Sequence, residues 1–161
     1  MTKKQKSIFL IIIYAISFIA LLAVVGTCFT NYQDGILMLE NIKFNNGSLY
    51  KTYSNASYNL FALGIFVIVL LLGVIIRLFK ENKIINVITL SVGAIVIIYS
   101  LIMLITLKNE IFIKAGDLSS TVLTLASTTQ ALYLQVFIYT CALIGSGVCL
   151  HLNNRKEEYE K

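Results

Sequence analysis

The side chains of this sequence that could do chemistry are few and scattered. Asp34, Glu40, Glu110 and Asp117 fall in two polar segments, and a fold that gathered them would offer hard oxygen ligands to a cation. Solvated surface charge is the simpler expectation for all four. His151 is the single histidine, so no multi-histidine metal site can form, and no nucleophile stands at motif spacing from it. Cys28, Cys141 and Cys149 form neither a CxxC pair nor a zinc pattern. They read as small helix-packing residues. No catalytic, metal or cofactor site is expected, and the chain is read as a non-enzyme.

The remaining polar candidates lie inside apolar stretches. Gln135, Ser146, Asn86 and Ser100 are candidates for helix packing or for lining a polar pathway. Each stretch shows a face of small or mildly polar residues. These are Ala20, Ala23 and Thr27 in the first, and Asn59, Ala62 and Gly73 in the second. The third has Asn86, Thr89, Gly93 and Ser100, and the fourth has Thr128, Ala131, Gln135, Ala142, Ser146 and Cys149. All four faces are expected to point into a bundle. No Asp, Glu, Lys or Arg lies deep in a stretch, which argues against proton coupling within the membrane.

The elements that must position these residues follow from length. A helix crossing a hydrocarbon core about 30 Å thick needs about 20 mostly apolar residues. Four segments meet this: 7–29, 58–76, 84–107 and 132–152. Of the 161 residues 58% are hydrophobic and 13% charged, against about 25% charged in a soluble domain. The first span follows Lys3, Lys4 and Lys6 but is too long for a signal peptide's apolar region. The formal net charge is +5, yet the basic residues flank the spans, where they set orientation. Nucleic acid is therefore not an expected partner, whereas membrane lipid is. Nine of the thirteen Lys and Arg residues fall in the N-terminal tail, the link between spans 2 and 3, and the C-terminal tail. That bias predicts both termini in the cytoplasm and the protein in the cell membrane.

Segments 30–57 and 108–131 are then the outside loops. In the first, Ile42 and Phe44 alternate with polar residues, Asn45-Asn46-Gly47 offers a turn, and Leu49, Lys51 and Tyr53 resume the alternation. This predicts a small extracellular β-hairpin, 39–44 paired with 48–53, with 110–114 as a third strand. Ile42, Phe44, Tyr50, Tyr53 and Phe112 are its candidate interaction residues. Segment 117–130 is rich in Ser and Thr but keeps Leu118, Val122, Leu125 and Leu132 on one helical face. Helix 4 is therefore expected to run over 117–152, about 54 Å, projecting roughly 20 Å beyond the hydrocarbon.

The expected fold is a single all-α membrane domain over 1–161: a four-transmembrane-helix bundle with that small outside sheet. In outline this resembles the claudin and peripheral-myelin group. The group's outside signature requires a Trp and a pair of loop cysteines, and here there is no Trp and the cysteines lie in or beside the spans. No family is assigned. The functional expectation is a non-enzymatic protein that binds another membrane or secreted protein through its outside loops, as an accessory subunit, assembly factor or immunity-type protein. A homo-oligomeric pore or small transport protein is the alternative.

Overall fold

A computed structural model describes the backbone of residues 3–42, 47–79, 82–114 and 120–159. Side-chain surroundings are described over 4–33, 55–79, 82–109 and 123–153, with 57 and 125 excepted. The described chain consists of four helices: α1 (Lys3–Ile42), α2 (Gly47–Phe79), α3 (Lys83–Lys114) and α4 (Ser120–Tyr159). The links between them are so short that successive helices must run antiparallel as neighbours. Contacts follow: α1 packs on α2 and α4, α3 packs on α2 and α4, and α2 meets α4 across the diagonal. Asn82 starts α3, its Oδ1 accepting the Ile84 N–H at 2.9 Å as a helix cap.

All four helices are long and apolar enough to cross a membrane, over Lys4–Gln33, Tyr58–Phe79, Lys83–Asn109 and Ala126–Asn153. These windows contain the four expected spans. Only 22% of the α1 window and 22% of the α3 window is buried in the bundle. The outward surface carries Ile16, Ile19, Leu72, Ile98 and Ile105, each more than half exposed. Such a surface suits hydrocarbon, so the protein belongs to the class of multi-pass membrane proteins.

The core is built on a repeat of alternating three- and four-residue steps. In α1 the buried positions are Ser17, Leu21, Val24, Cys28 and Asn31. In α2 they are Ala56, Leu60, Leu63, Val67, Leu70 and Val74. In α3 the seam runs Thr89, Gly93, Val96, Ser100, Met103 and Leu107, with Met103 half-buried. In α4 it runs Ala126, Thr129, Tyr133, Val136, Thr140 and Leu143. A mean step of 3.5 keeps one stripe facing the bundle axis along the whole span, as side-by-side helices require.

Close approach depends on two glycines. A Cβ at Gly73 would lie 2.6 Å from Thr89 Oγ1, which itself donates to the Ile85 carbonyl at 2.8 Å. A Cβ at Gly93 would overlap the Cδ1 end of Ile144.

One expectation about the segments beyond the spans changes. No strand forms among the described residues: 39–42 are the last turn of α1, 48–53 the first turns of α2, and 110–114 the end of α3. The physical reason is cooperativity. A two-stranded hairpin is marginal in water. A helix already nucleated in the membrane gains one hydrogen bond for each residue added. The alternation that suggested strands is only a few residues long, too short to oppose that gain. The expected extension of helix 4 beyond its apolar span is present from Ser120, while Asp117 lies outside the described residues. What the pattern did not suggest is that α1 and α2 also continue past the apolar runs 7–29 and 58–76, α1 to Ile42 and α2 from Gly47.

The glycine contacts can be tested by stability. Gly73→Ala should lower the unfolding midpoint in detergent more than Gly93→Ala. Thr89 is β-branched and tied to its own helix, whereas Ile144 can swing its terminal methyl aside. The overpacking cost is about 1–3 kcal/mol, partly offset by about 1 kcal/mol of helix propensity. Adding Thr89→Ala to Gly73→Ala should restore the midpoint.

Candidate functional site

The candidates for helix packing or for lining a polar pathway do not converge on a polar interior. Ser100 is fully buried and donates to the Ile97 carbonyl of its own helix at 3.0 Å. Ser146 shares its proton between the Ala142 and Leu143 carbonyls, at 2.7 and 3.1 Å. Gln135 is exposed on the outside of α4. Ala23 and Thr27 of α1, and Thr128, Ala131 and Cys149 of α4, are exposed as well, so the expected inward faces of α1 and α4 point largely outward. The α3 face is placed as expected, with Thr89, Gly93 and Ser100 buried. Leu, Val and Tyr side chains fill the middle of the bundle.

Of the interaction-loop candidates, Ile42 is the last residue of α1, Tyr50 and Tyr53 lie in the first turns of α2, and Phe112 lies in the last turn of α3. Phe44 is outside the described residues. Asp34 and Glu40 are in α1 and Glu110 is in α3. Among the described residues no three His, Cys, Asp or Glu side chains group as metal ligands, and the three cysteines are free thiols.

Two features emerge that the pattern of polar residues did not reveal. The first is a clamp where the helices leave their apolar windows. Tyr133 of α4 is wholly buried, and its hydroxyl donates to the Ala56 carbonyl of α2 at 3.1 Å, across the diagonal of the bundle. One turn earlier, Thr129 Oγ1 accepts from Asn31 Nδ2 of α1 at 3.2 Å. Beside this, Phe29 and Tyr32 of α1 stack against Phe61 and Tyr58 of α2, with ring centroids 4.8–5.6 Å apart. Asn59 Nδ2 reaches Met103 Sδ of α3 at 4.0 Å. The signal for the clamp was the three-and-four spacing: Asn31, Ala56, Thr129 and Tyr133 all occupy seam positions.

The second is a cleft of about 270 Å³ at the opposite end, where α1 begins and α2 and α4 finish. Tyr14, Arg77, Gly147 and His151 line it together with Ile11, Leu78 and Leu150. Tyr14, Arg77 and Gly147 are the next seam positions of α1, α2 and α4 beyond the apolar core. The seam therefore ends in a guanidinium facing a glycine rather than in packed aliphatics. A Cβ at Gly147 would lie 3.3 Å from the Tyr14 ring and 3.9 Å from an Arg77 terminal nitrogen. Asn86 is the α3 seam residue at this end, and its Oδ1 is enclosed with no partner among the described residues. Lys4, Lys6 and Lys83 stand exposed around the same end. There Asn153 of α4 donates to Ser7 Oγ of α1.

Fold and site together define a four-helix membrane bundle, polar-clamped at one end and open to a basic cleft at the other. Comparison with known protein families, with curated proteins and with solved structures finds no match.

The clamp makes a graded prediction. Tyr133→Phe should cost about 0.5–1.5 kcal/mol of stability, the worth of one interhelical hydrogen bond. Tyr133→Ala should cost about 3–5 kcal/mol, because it also opens a cavity at the crossing of α2 and α4. Unfolding of the purified protein by graded addition of a denaturing detergent reads both.

Proposed function

We propose that this chain is a non-enzymatic membrane protein that works by binding another membrane or secreted protein, with both termini in the cytoplasm of the cell that makes it. The observation that carries this reading is the outward face of α4. Gln135, on the apolar side of the Tyr133 clamp by about 3 Å, is exposed, and so are Thr128 and Ala131 on the same face. On the adjacent helix α1, Ala23, Gly26 and Thr27 are exposed too. An amide facing lipid tails lacks partners, and small residues let a second helix come close, so such a face fits a protein neighbour better than lipid. The α4 window is also the least apolar of the four, with a mean hydropathy of 1.7 against 2.6–3.1 for the others.

The projecting ends extend this surface. In this reading, α1 to Ile42, α2 from Gly47 and α4 from Ser120 stand outside the membrane as helical posts on the side away from the basic end. Tyr50 and Tyr53 belong to the first turns of the α2 post. The basic residues of the N-terminal tail, the α2–α3 link and the C-terminal tail support the cytoplasmic assignment of the opposite end.

A second reading is that the neighbour is another copy of this chain. The exposed Gln135 favours it, since copies meeting through α4 would bring several amides together, as a pore between protomers needs. The filled core of one protomer leaves no pathway within it.

Gln135→Leu combined with Ala131→Leu should abolish recovery of a stoichiometric partner while leaving the unfolding midpoint of the bundle within about 1 kcal/mol, as expected of surface changes. Mass measurement in detergent separates the readings: a heteromeric particle supports the first, and a multiple of this chain's mass supports the second. A monomer that retains no partner under gentle extraction, and whose double variant behaves like the parent in cells, overturns both.

A further inference from the structure

We propose that the cleft at the basic end binds the phosphate headgroup of an anionic phospholipid, with Arg77 as its anchor. Arg77 directly follows the apolar run 58–76 and His151 lies at the end of the run 132–152, so both stand at the edge of the hydrocarbon, near the level of lipid phosphates. Arg77 is partly buried, with a terminal nitrogen 3.9 Å from where a Cβ at Gly147 would stand and with Tyr14 on the same cleft wall. Its planar fork matches two phosphate oxygens at once, and the His151 ring and Tyr14 hydroxyl supply further donors beside it. Gly147 makes the room: any side chain there would press into the Tyr14 ring and the space before the guanidinium. Among the described residues no carboxylate lines the cleft.

The walls distinguish a lipid from a free anion. Ile11 and Leu78 line the cleft and are 55% and 70% exposed on the apolar outer surface, so the cleft has greasy lips toward the bilayer. A diacyl lipid can seat its phosphate on Arg77 while its chains stay among the surrounding lipids, gaining contact with both lips. Inorganic phosphate gains only the polar contacts. The exposed lysines around this end add attraction for an anionic leaflet without forming the cleft.

The test is native mass spectrometry of the full chain in detergent, titrated with phosphatidylglycerol, phosphatidylcholine or inorganic phosphate. The expected result is retention of one phosphatidylglycerol, with phosphatidylcholine at least about tenfold weaker and no effect of millimolar phosphate. Arg77→Gln should weaken phosphatidylglycerol by about tenfold or more, the loss of a charge-assisted partner. Lys83→Gln, an exposed charge at the same end, should weaken it by less than about threefold. Gly147→Leu keeps Arg77 and fills the cleft, so it should also lose the lipid, and it secures the test if Arg77→Gln fails to fold. Equal retention of both lipids, equal effects of Arg77→Gln and Lys83→Gln, or undiminished binding by Gly147→Leu overturns the proposal. Displacement of phosphatidylglycerol by inorganic phosphate overturns the lipid as occupant and leaves a free-anion site.

Discussion

Every backbone N–H and C=O that enters hydrocarbon must find its partner within the protein, and helices alone do this segment by segment. That requirement fixes four long helices before any side chain is considered. It also reaches beyond the membrane. Once a span has formed, adding residues to its end is far easier than starting a new element in water. The posts of α1, α2 and α4 are the result, and with them the replacement of an expected hairpin by continued helix. The outside architecture is in this sense inherited from the inside one.

Packing then has to work without much help from the hydrophobic effect, because lipid tails are as apolar as leucine. Shape and a few hydrogen bonds take over. The three-and-four repeat supplies the shape, Gly73 and Gly93 let α3 come close to its neighbours, and Tyr133 and Asn31 add bonds that tie α4 to α2 and α1. These bonds lie where the helices emerge. They fasten the bundle at the level where the posts begin, while the apolar middle is held by interlocking aliphatic side chains.

How much was legible in the sequence follows from the same physics. The spans were legible because length and hydropathy are strong signals for a slab of fixed thickness. Facing was legible for α3 and in part for α2, whose Asn59 and Gly73 meet α3. In a soluble protein polarity separates inside from outside, so small and polar residues on one face would have meant something definite. Here Ser100 is buried and Gln135 is exposed, and both hydroxyls and amides occur on either side. Spacing was the better guide, since Leu60, Leu63, Val67 and Leu70 declare a seam by position where their type declares nothing. The clamp was hidden because tyrosine reads as an interfacial residue by composition, whereas Tyr133 is interior by register. Arg77 was read as an orientation charge, and the room around it came from Gly147, seventy residues away in sequence. That kind of vacancy belongs to the assembly of three helices and to none of them alone.

The continuity of the helices has a mechanical side. α1 and α4 each run for 40 residues, about 60 Å, and the chain contains no proline at which either would bend. Each is a stiff rod held at one level by the Tyr133 and Asn31 clamp. A rod pivoting on a fixed collar moves at both ends. A force applied to the posts on one side of the membrane would reach the Tyr14 and His151 ends on the other as a tilt of whole helices, sliding along the aliphatic seam.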